Sequence, residues 1–141
     1  MFDVWHLGLP VRDLEQSVRF YREGLGFELL GYYEAGRTRM AFVRVPGGSF
    51  TIEFLESRDA SAEAPSKKPD HLAFESADLA AFHARLSERG FFKDLPEIAE
   101  VNNGLQKFTV TDPDGVPIQF YQGRAAFDRT LSRENASRHG P

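Results

Sequence analysis

The sequence predicts an α+β fold of two tandem βαβββ modules that form a cupped mixed sheet. Three sets of repeats predict it. His6-Leu7 and His71-Leu72 open two similar segments, Asp13-Leu14 and Asp78-Leu79 follow seven residues later, and Leu25-Gly26-Phe27 and Gly90-Phe91-Phe92 close them, an offset of 65 residues. Ile52-Glu53-Phe54-Leu55-Glu56 recurs as Ile118-Gln119-Phe120-Tyr121-Gln122 at an offset of 66, and the turns Pro46-Gly47-Gly48 and Pro113-Asp114-Gly115 agree at 67. A chain that repeats its strands, helix and turns in the same order is a duplicated unit.

Each element has a local cause. Val4–Leu9 reads as the first strand, ended by Pro10. Asp13 is a good N-cap, and Gln16 three residues on completes a capping box. Leu14, Val18, Tyr21 and Leu25 then form the apolar stripe of a helix that packs on a sheet, and Gly24 and Gly26 stop it. Strands follow over Phe27–Tyr33, Thr38–Val45 and Ser49–Glu56, separated by Glu34-Ala35-Gly36 and Pro46-Gly47-Gly48. The second module opens a strand at Asp70, a helix over Ala77–Arg89 capped by Ser76 or Asp78, and three further strands. Its later turns are Asn102-Asn103-Gly104 and Asp112-Pro113-Asp114-Gly115.

Residues 1–123 are expected to form one domain, with modules 1–57 and 70–123. The linker 58–69 has no side chain more apolar than alanine, proline apart, and Pro65 and Pro69 interrupt it. The tail 124–141 is polar, with four Arg against one Asp and one Glu, and reads as a frayed end or a short helix laid on a partner.

Composition narrows the function classes. A chain of 141 residues buries roughly two-thirds of its unfolded surface. No cysteine is present, so disulfides and thiolate metal sites are excluded. A net charge of −4 gives no electrostatic reason to expect nucleic acid. No apolar run approaches the ~20 residues that span a bilayer, and the early first strand leaves no room for a signal peptide, so a cytoplasmic protein is expected. Thirteen Phe, most of them in predicted strands, suggest an aromatic-lined interior.

Four polar residues stand out within the apolar strands. Strand side chains alternate faces. His6 therefore shares a face with Val4 and Gly8, while Trp5, Leu7 and Leu9 face the helix. Glu53 lies with Thr51 and Leu55, His71 with Ala73, and Gln119 with Pro117 and Tyr121. In each module the first and last strands thus offer one ligand-capable group to the same face, and Gly8 and Ala73 leave space beside the histidines. Two imidazoles, one carboxylate and one amide suit an octahedral divalent ion with two open positions. The bland alternative makes the histidines satisfied sheet residues and pairs Glu53 with an arginine. Four such groups at repeat-related positions, with a buried carboxylate costly unless paired, favour metal.

The pattern resembles the vicinal oxygen chelate superfamily, which includes glyoxalase I, methylmalonyl-CoA epimerase, fosfomycin-resistance enzymes and extradiol dioxygenases. HLGLPVRDLEQSVRFYREGLGFEL, TIEFLE, DHLAFESADL and DPDGVPIQF carry the resemblance, over residues 4 to 122. It implies a metal such as Fe, Mn, Ni, Co or Zn, held from the first, fourth, fifth and eighth strands, here by His6, Glu53, His71 and Gln119. It also implies a lyase or isomerase of the glyoxalase or epimerase type, acting through an enediolate-like intermediate on a small substrate with vicinal oxygens. Glu53 is the expected catalytic base. Two departures qualify this. Most active members carry glutamate where Gln119 stands, and Pro10 occupies the place of an arginine that helps hold glutathione in bacterial glyoxalase I. An Fe(II)-dependent extradiol-type dioxygenase and a non-catalytic drug-binding resistance protein are the alternatives. The open module edges predict a homodimer.

Overall fold

A computed structural model describes residues 1–59, 65, 67–102 and 104–138, with 102 and 132–138 as backbone only. The chain divides into two units, Met1–Asp70 with Thr111–Val116, and His71–Val110 with Pro117–Pro141. Each holds a four-stranded mixed sheet with the strand order of one βαβββ module.

In the first unit the elements are β1 (His6–Pro10), α1 (Leu14–Arg19), β2 (Glu28–Ala35), β3 (Thr38–Arg44) and β4 (Thr51–Ser57). The sheet runs β1-β4-β3-β2, with β1 parallel to β4 and the other pairs antiparallel. Leu9, Ala41, Val43, Ile52 and Phe54 form the buried face of the sheet, and Leu14, Val18, Tyr21 and Leu25 pack there, as the helical spacing predicted. The helix does not stay α-helical to its glycines. It widens into a π-helical turn over Phe20–Gly24, in which the Leu25 amide reaches the Phe20 carbonyl. One extra residue in the turn keeps Phe20, Tyr21 and Gly24 all inside.

The start of α1 differs in part from the predicted capping box. Asp13 accepts from the Gln16 amide at 3.0 Å, but the Gln16 side chain accepts from Arg12 instead of returning to Asp13. The second support comes from the sheet. Glu56 Oε2 accepts the Leu14 N–H at 2.6 Å, and Glu56 Oε1 pairs with Arg39, which also holds Glu15. The first strand begins later than expected. Pairing with β4 starts at His6, so Val4 and Trp5 lie before the ladder, and Trp5 is 69% exposed rather than turned to the helix.

The segment Thr111–Val116 is locked onto α1 by buried acids. Asp112 accepts from the Tyr21 hydroxyl at 2.8 Å and from the amides of Asp114 and Val116 at 2.9 Å. Asp114 accepts from the Arg12 amide at 3.0 Å and the Ser17 hydroxyl at 3.4 Å. Burial, and then the neighbouring Asp112 charge, raise the Tyr21 hydroxyl far above its ordinary value, so it is a permanent donor.

In the second unit the elements are β5 (Leu72–Glu75), α2 (Leu79–Arg89), β6 (Ala99–Asn102), β7 (Leu105–Thr111), β8 (Pro117–Gln122) and α3 (Arg124–Arg138). The sheet order is β5-β8-β7-β6, with β5 parallel to β8. The predicted helix over Ala77–Arg89 starts two residues later because Asp78 is the cap, accepting from the Ala81 amide at 3.0 Å. Gly90 ends it at φ 68°, a left-handed conformation that favours glycine. Phe82, Phe108 and Phe120 stack between α2 and the sheet, beside buried Leu79, Leu86 and Ile118. The Leu79 N–H donates to Gln122 Oε1 at 2.7 Å. This repeats the Leu14–Glu56 bond at the equivalent place.

One expectation is revised here, and the tail takes the helical one of its two expected forms. Only Phe42, Phe54, Phe74, Phe108 and Phe120 lie in strands, so phenylalanine also supplies the helices and loops. The tail is helical from Arg124, whose N–H is accepted by Glu75 Oε2 at 3.0 Å. Gly123 makes that turn with φ 99°, and a Cβ there would lie 2.9 Å from the Gly104 carbonyl oxygen. Half of the expected linker, residues 60–64 and 66, lies outside the described residues.

Asp114 sets a pH dependence. Burial raises its carboxyl above the ordinary 3.8, Asp112 adds to this, and the Arg12 N–H and Ser17 hydroxyl oppose it. The folded chain therefore binds this proton more tightly than the unfolded chain. Its contribution to stability is complete below the ordinary value and is lost as pH rises through the raised folded value. In urea unfolding between about pH 3 and about pH 6, the parent is expected to lose stability relative to Asp114→Asn as pH rises. A parallel pair of curves contradicts this.

Candidate functional site

The parallel ladder of the first unit determines what His6 and Glu53 share. His6 is opposite Thr51, and Gly8 is opposite Glu53. Residues directly opposite in a sheet point to one side. His6, Gly8, Thr51, Glu53 and Leu55 therefore lie together on the face opposite Leu9, Ile52 and Phe54. β3 extends that face, with Phe42 opposite Glu53.

Histidine 6 is held by rings and not by hydrogen bonds. Trp5 meets it edge-on at 4.3 Å between centroids, and Phe42 does so at 5.8 Å. Its Nδ1 is buried with no hydrogen-bond partner among the described residues. A buried polar atom without a partner costs on the order of 1–3 kcal/mol, so this nitrogen is suited to a ligand that the chain itself does not provide. Gly8 keeps the approach clear. A Cβ on it would lie 3.3 Å from the Leu55 side chain and 3.9 Å from Glu53 Oε1. Among the described residues Glu53 has no arginine or lysine partner, which removes the ion-pair explanation of its place in an apolar strand.

In the second unit Gln119 stands opposite Ala73 on the parallel β5–β8 ladder. His71 is exposed and sits one residue before β5, so the strand expected to open at Asp70 begins only after it. Gln119 has a feature the sequence did not reveal. Its Oε1 accepts from the Tyr121 hydroxyl at 2.8 Å. That bond orients the amide and occupies one lone pair of the oxygen that would bind a cation, leaving the other. The spacing of two along a strand was the available signal, since Gln119 and Tyr121 share a face.

An acidic group, Asp13, Glu15 and Glu56, also has oxygens within 4.8 Å of one another. Each carboxylate is already engaged in starting α1 or holding Arg39. The His6 face is the better metal candidate because it combines an imidazole and a carboxylate that have no such tasks.

A family model for the glyoxalase/bleomycin resistance protein/dioxygenase superfamily matches residues 4–120. The chain belongs to that superfamily. Among its relatives, the uncharacterized protein YwbC of Bacillus subtilis is 32% identical, over 83% of this chain and 94% of its own. A lactoylglutathione lyase of Neisseria meningitidis is 30% identical, over 87% of this chain and 92% of its own. A solved glyoxylase/bleomycin resistance protein/dioxygenase domain from Frankia sp. EAN1pec superposes with a TM-score of 0.72 at 26% identity, covering 88% of this chain and 93% of that one. This superfamily chain therefore has the α+β architecture of two four-stranded mixed sheets that its repeats predicted. No helix among the described residues is long and apolar enough to cross a membrane.

The unpartnered imidazole makes a prediction for stability. In chelator-treated protein, His6→Leu is expected to raise the unfolding free energy read from urea titration by up to about 1–2 kcal/mol, because it removes a buried nitrogen that no described residue satisfies. A variant that is less stable than the parent without metal would show that His6 is a satisfied structural residue.

Proposed function

We propose that the chain is a divalent-metal-dependent enzyme of the glyoxalase or epimerase type, a lyase or isomerase acting on a small substrate with vicinal oxygens. The observation that carries this reading is the buried, unpartnered Nδ1 of His6 on the same open face as Glu53. Membership of the superfamily and the likeness to a lactoylglutathione lyase support it. His6 and Glu53 of the first unit, with His71 and Gln119 of the second, are the proposed donor set. The donor chemistry fits a cation such as Fe, Mn, Ni, Co or Zn, which would supply Lewis acidity toward neighbouring substrate oxygens.

The division of labour follows from the groups themselves. Glu53 is the one member of the set that combines negative charge with carboxylate basicity, so it is assigned the proton transfer. Gln119 is neutral and takes no proton near pH 7, and the Tyr121 hydroxyl fixes which way its carbonyl points. Gly8 and Ala73 keep the strand faces low where a substrate would lie.

Metal titration by calorimetry, paired with elemental analysis, tests the reading. The parent is expected to take up about one ion per chain. Glu53→Gln is expected to weaken uptake by at least tenfold, or about 1.4 kcal/mol, and to remain inactive at saturating metal. Gln119→Glu is expected to bind metal more tightly without a matching gain in turnover. Absence of uptake for every metal tried rejects the proposal. We further propose a homodimer, supported by the exposure of Val4, Trp5, Leu30 and Tyr32 on the first unit. Light scattering at micromolar concentration is expected to give twice the chain mass, and a monomer there contradicts it.

A further inference from the structure

We infer that Lys68 is a positioning residue for His71: its ammonium clips the chain just ahead of β5 to the turn at Asp112–Gly115. The two histidines of the proposed donor set are held in different ways. His6 is inside its ladder, paired with Thr51. His71 is not, because the β5–β8 pairing begins at Leu72 and Ile118. A donor whose backbone stands outside a ladder needs support from elsewhere to be in place before an ion arrives.

Lys68 supplies that support. Its Nζ donates to the Asp114 carbonyl at 3.3 Å and to the Gly115 carbonyl at 3.5 Å. Lys68 is four residues before Leu72, and Asp114 is four residues before Ile118. The clip therefore falls where the parallel ladder would be if it continued, and His71 lies between the clip and the first ladder pair. The seat suits an ammonium. Gly115 turns with φ 85°, and a Cβ on it would lie 2.6 Å from Lys68 Nζ, so a side chain there would push the ammonium away. The anchor is firm as well. The Gly115 N–H donates to the Asp112 carbonyl at 3.0 Å, and the Asp112 N–H to the Val116 carbonyl at 2.9 Å. The Asp112 and Asp114 carboxylates are engaged by Tyr21, Ser17, the Arg12 amide and the turn's own amides. Lys68 thus acts through main-chain carbonyls with charge-assisted bonds, and a methionine of similar length has no hydrogen to give.

This inference rests on the proposed role of His71 as a metal donor and deepens it by naming what holds that donor. The clip can be read without metal, so its failure and that of the metal reading are distinguishable.

The chain has no cysteine, so Lys68→Cys treated with 2-bromoethylamine regains an ammonium at that position alone. Lys68 is exposed, and its substitution leaves the core untouched. In chelator, backbone order parameters from nitrogen relaxation at Asp70 and His71 are expected near about 0.85 in the parent and below about 0.6 in Lys68→Met. The aminoethylated Lys68→Cys protein is expected to return to the parent value. In protein loaded with Mn(II), Lys68→Met is expected to lose the share of imidazole nitrogen modulation that His71→Leu loses, and to keep the share due to His6. Aminoethylation is expected to restore it. Unchanged order at Asp70 and His71 in Lys68→Met, full nitrogen modulation in that variant, or no recovery on aminoethylation overturns the inference. A parent that takes up no metal rejects the metal reading instead, and the order parameters then decide the clip.

Discussion

Each unit depends on the parallel ladder between its first and last strand. That pairing brings residues about 45 apart in sequence into register, His6 with Thr51 and Ala73 with Gln119. It also places the end of the last strand beneath the start of the helix. There Glu56 and Gln122 accept the first helical N–H groups, of Leu14 and Leu79. Helix starts leave backbone donors unpaired, and here the sheet satisfies one of them in each unit. The same ladder therefore orients the helix on one face and collects the polar side chains on the other.

Much of this was legible because it follows period and repetition. The alternation of Ile52, Glu53, Phe54 and Leu55 assigned faces correctly, and the spacing of Leu14, Val18, Tyr21 and Leu25 named the buried stripe. What escaped detection depends on where pairing stops and on geometry within a turn. Trp5 looked like a core residue from alternation alone, yet the ladder begins one residue later and leaves it over His6. The π-helical turn at Phe20–Gly24 and the bond from Tyr121 to Gln119 have no signature in composition. The tail was legible only in part. Its polar composition left a frayed end and a short helix both open, and the Glu75 contact at Arg124 and the turn at Gly123 start a helix there.

The proposed site has an internal logic that separates it from ordinary packing. The buried acids Asp112 and Asp114 are surrounded by donors and hold structure. Among the described residues His6 and Glu53 are in the opposite condition, with an orphaned nitrogen and a carboxylate without a cation partner. Among the described residues the His6 Nδ1 is the buried side-chain polar atom left without a partner, and that contrast with Asp112 and Asp114 is what the proposed site rests on.

The most direct measurement is pulsed electron paramagnetic resonance of protein loaded with Mn(II), which detects nitrogen bound to the ion. The account predicts imidazole nitrogen modulation in the parent that falls in His6→Leu and again in the double variant with His71→Leu. A bound ion whose spectrum shows no nitrogen coupling, or one unchanged by both substitutions, would contradict it.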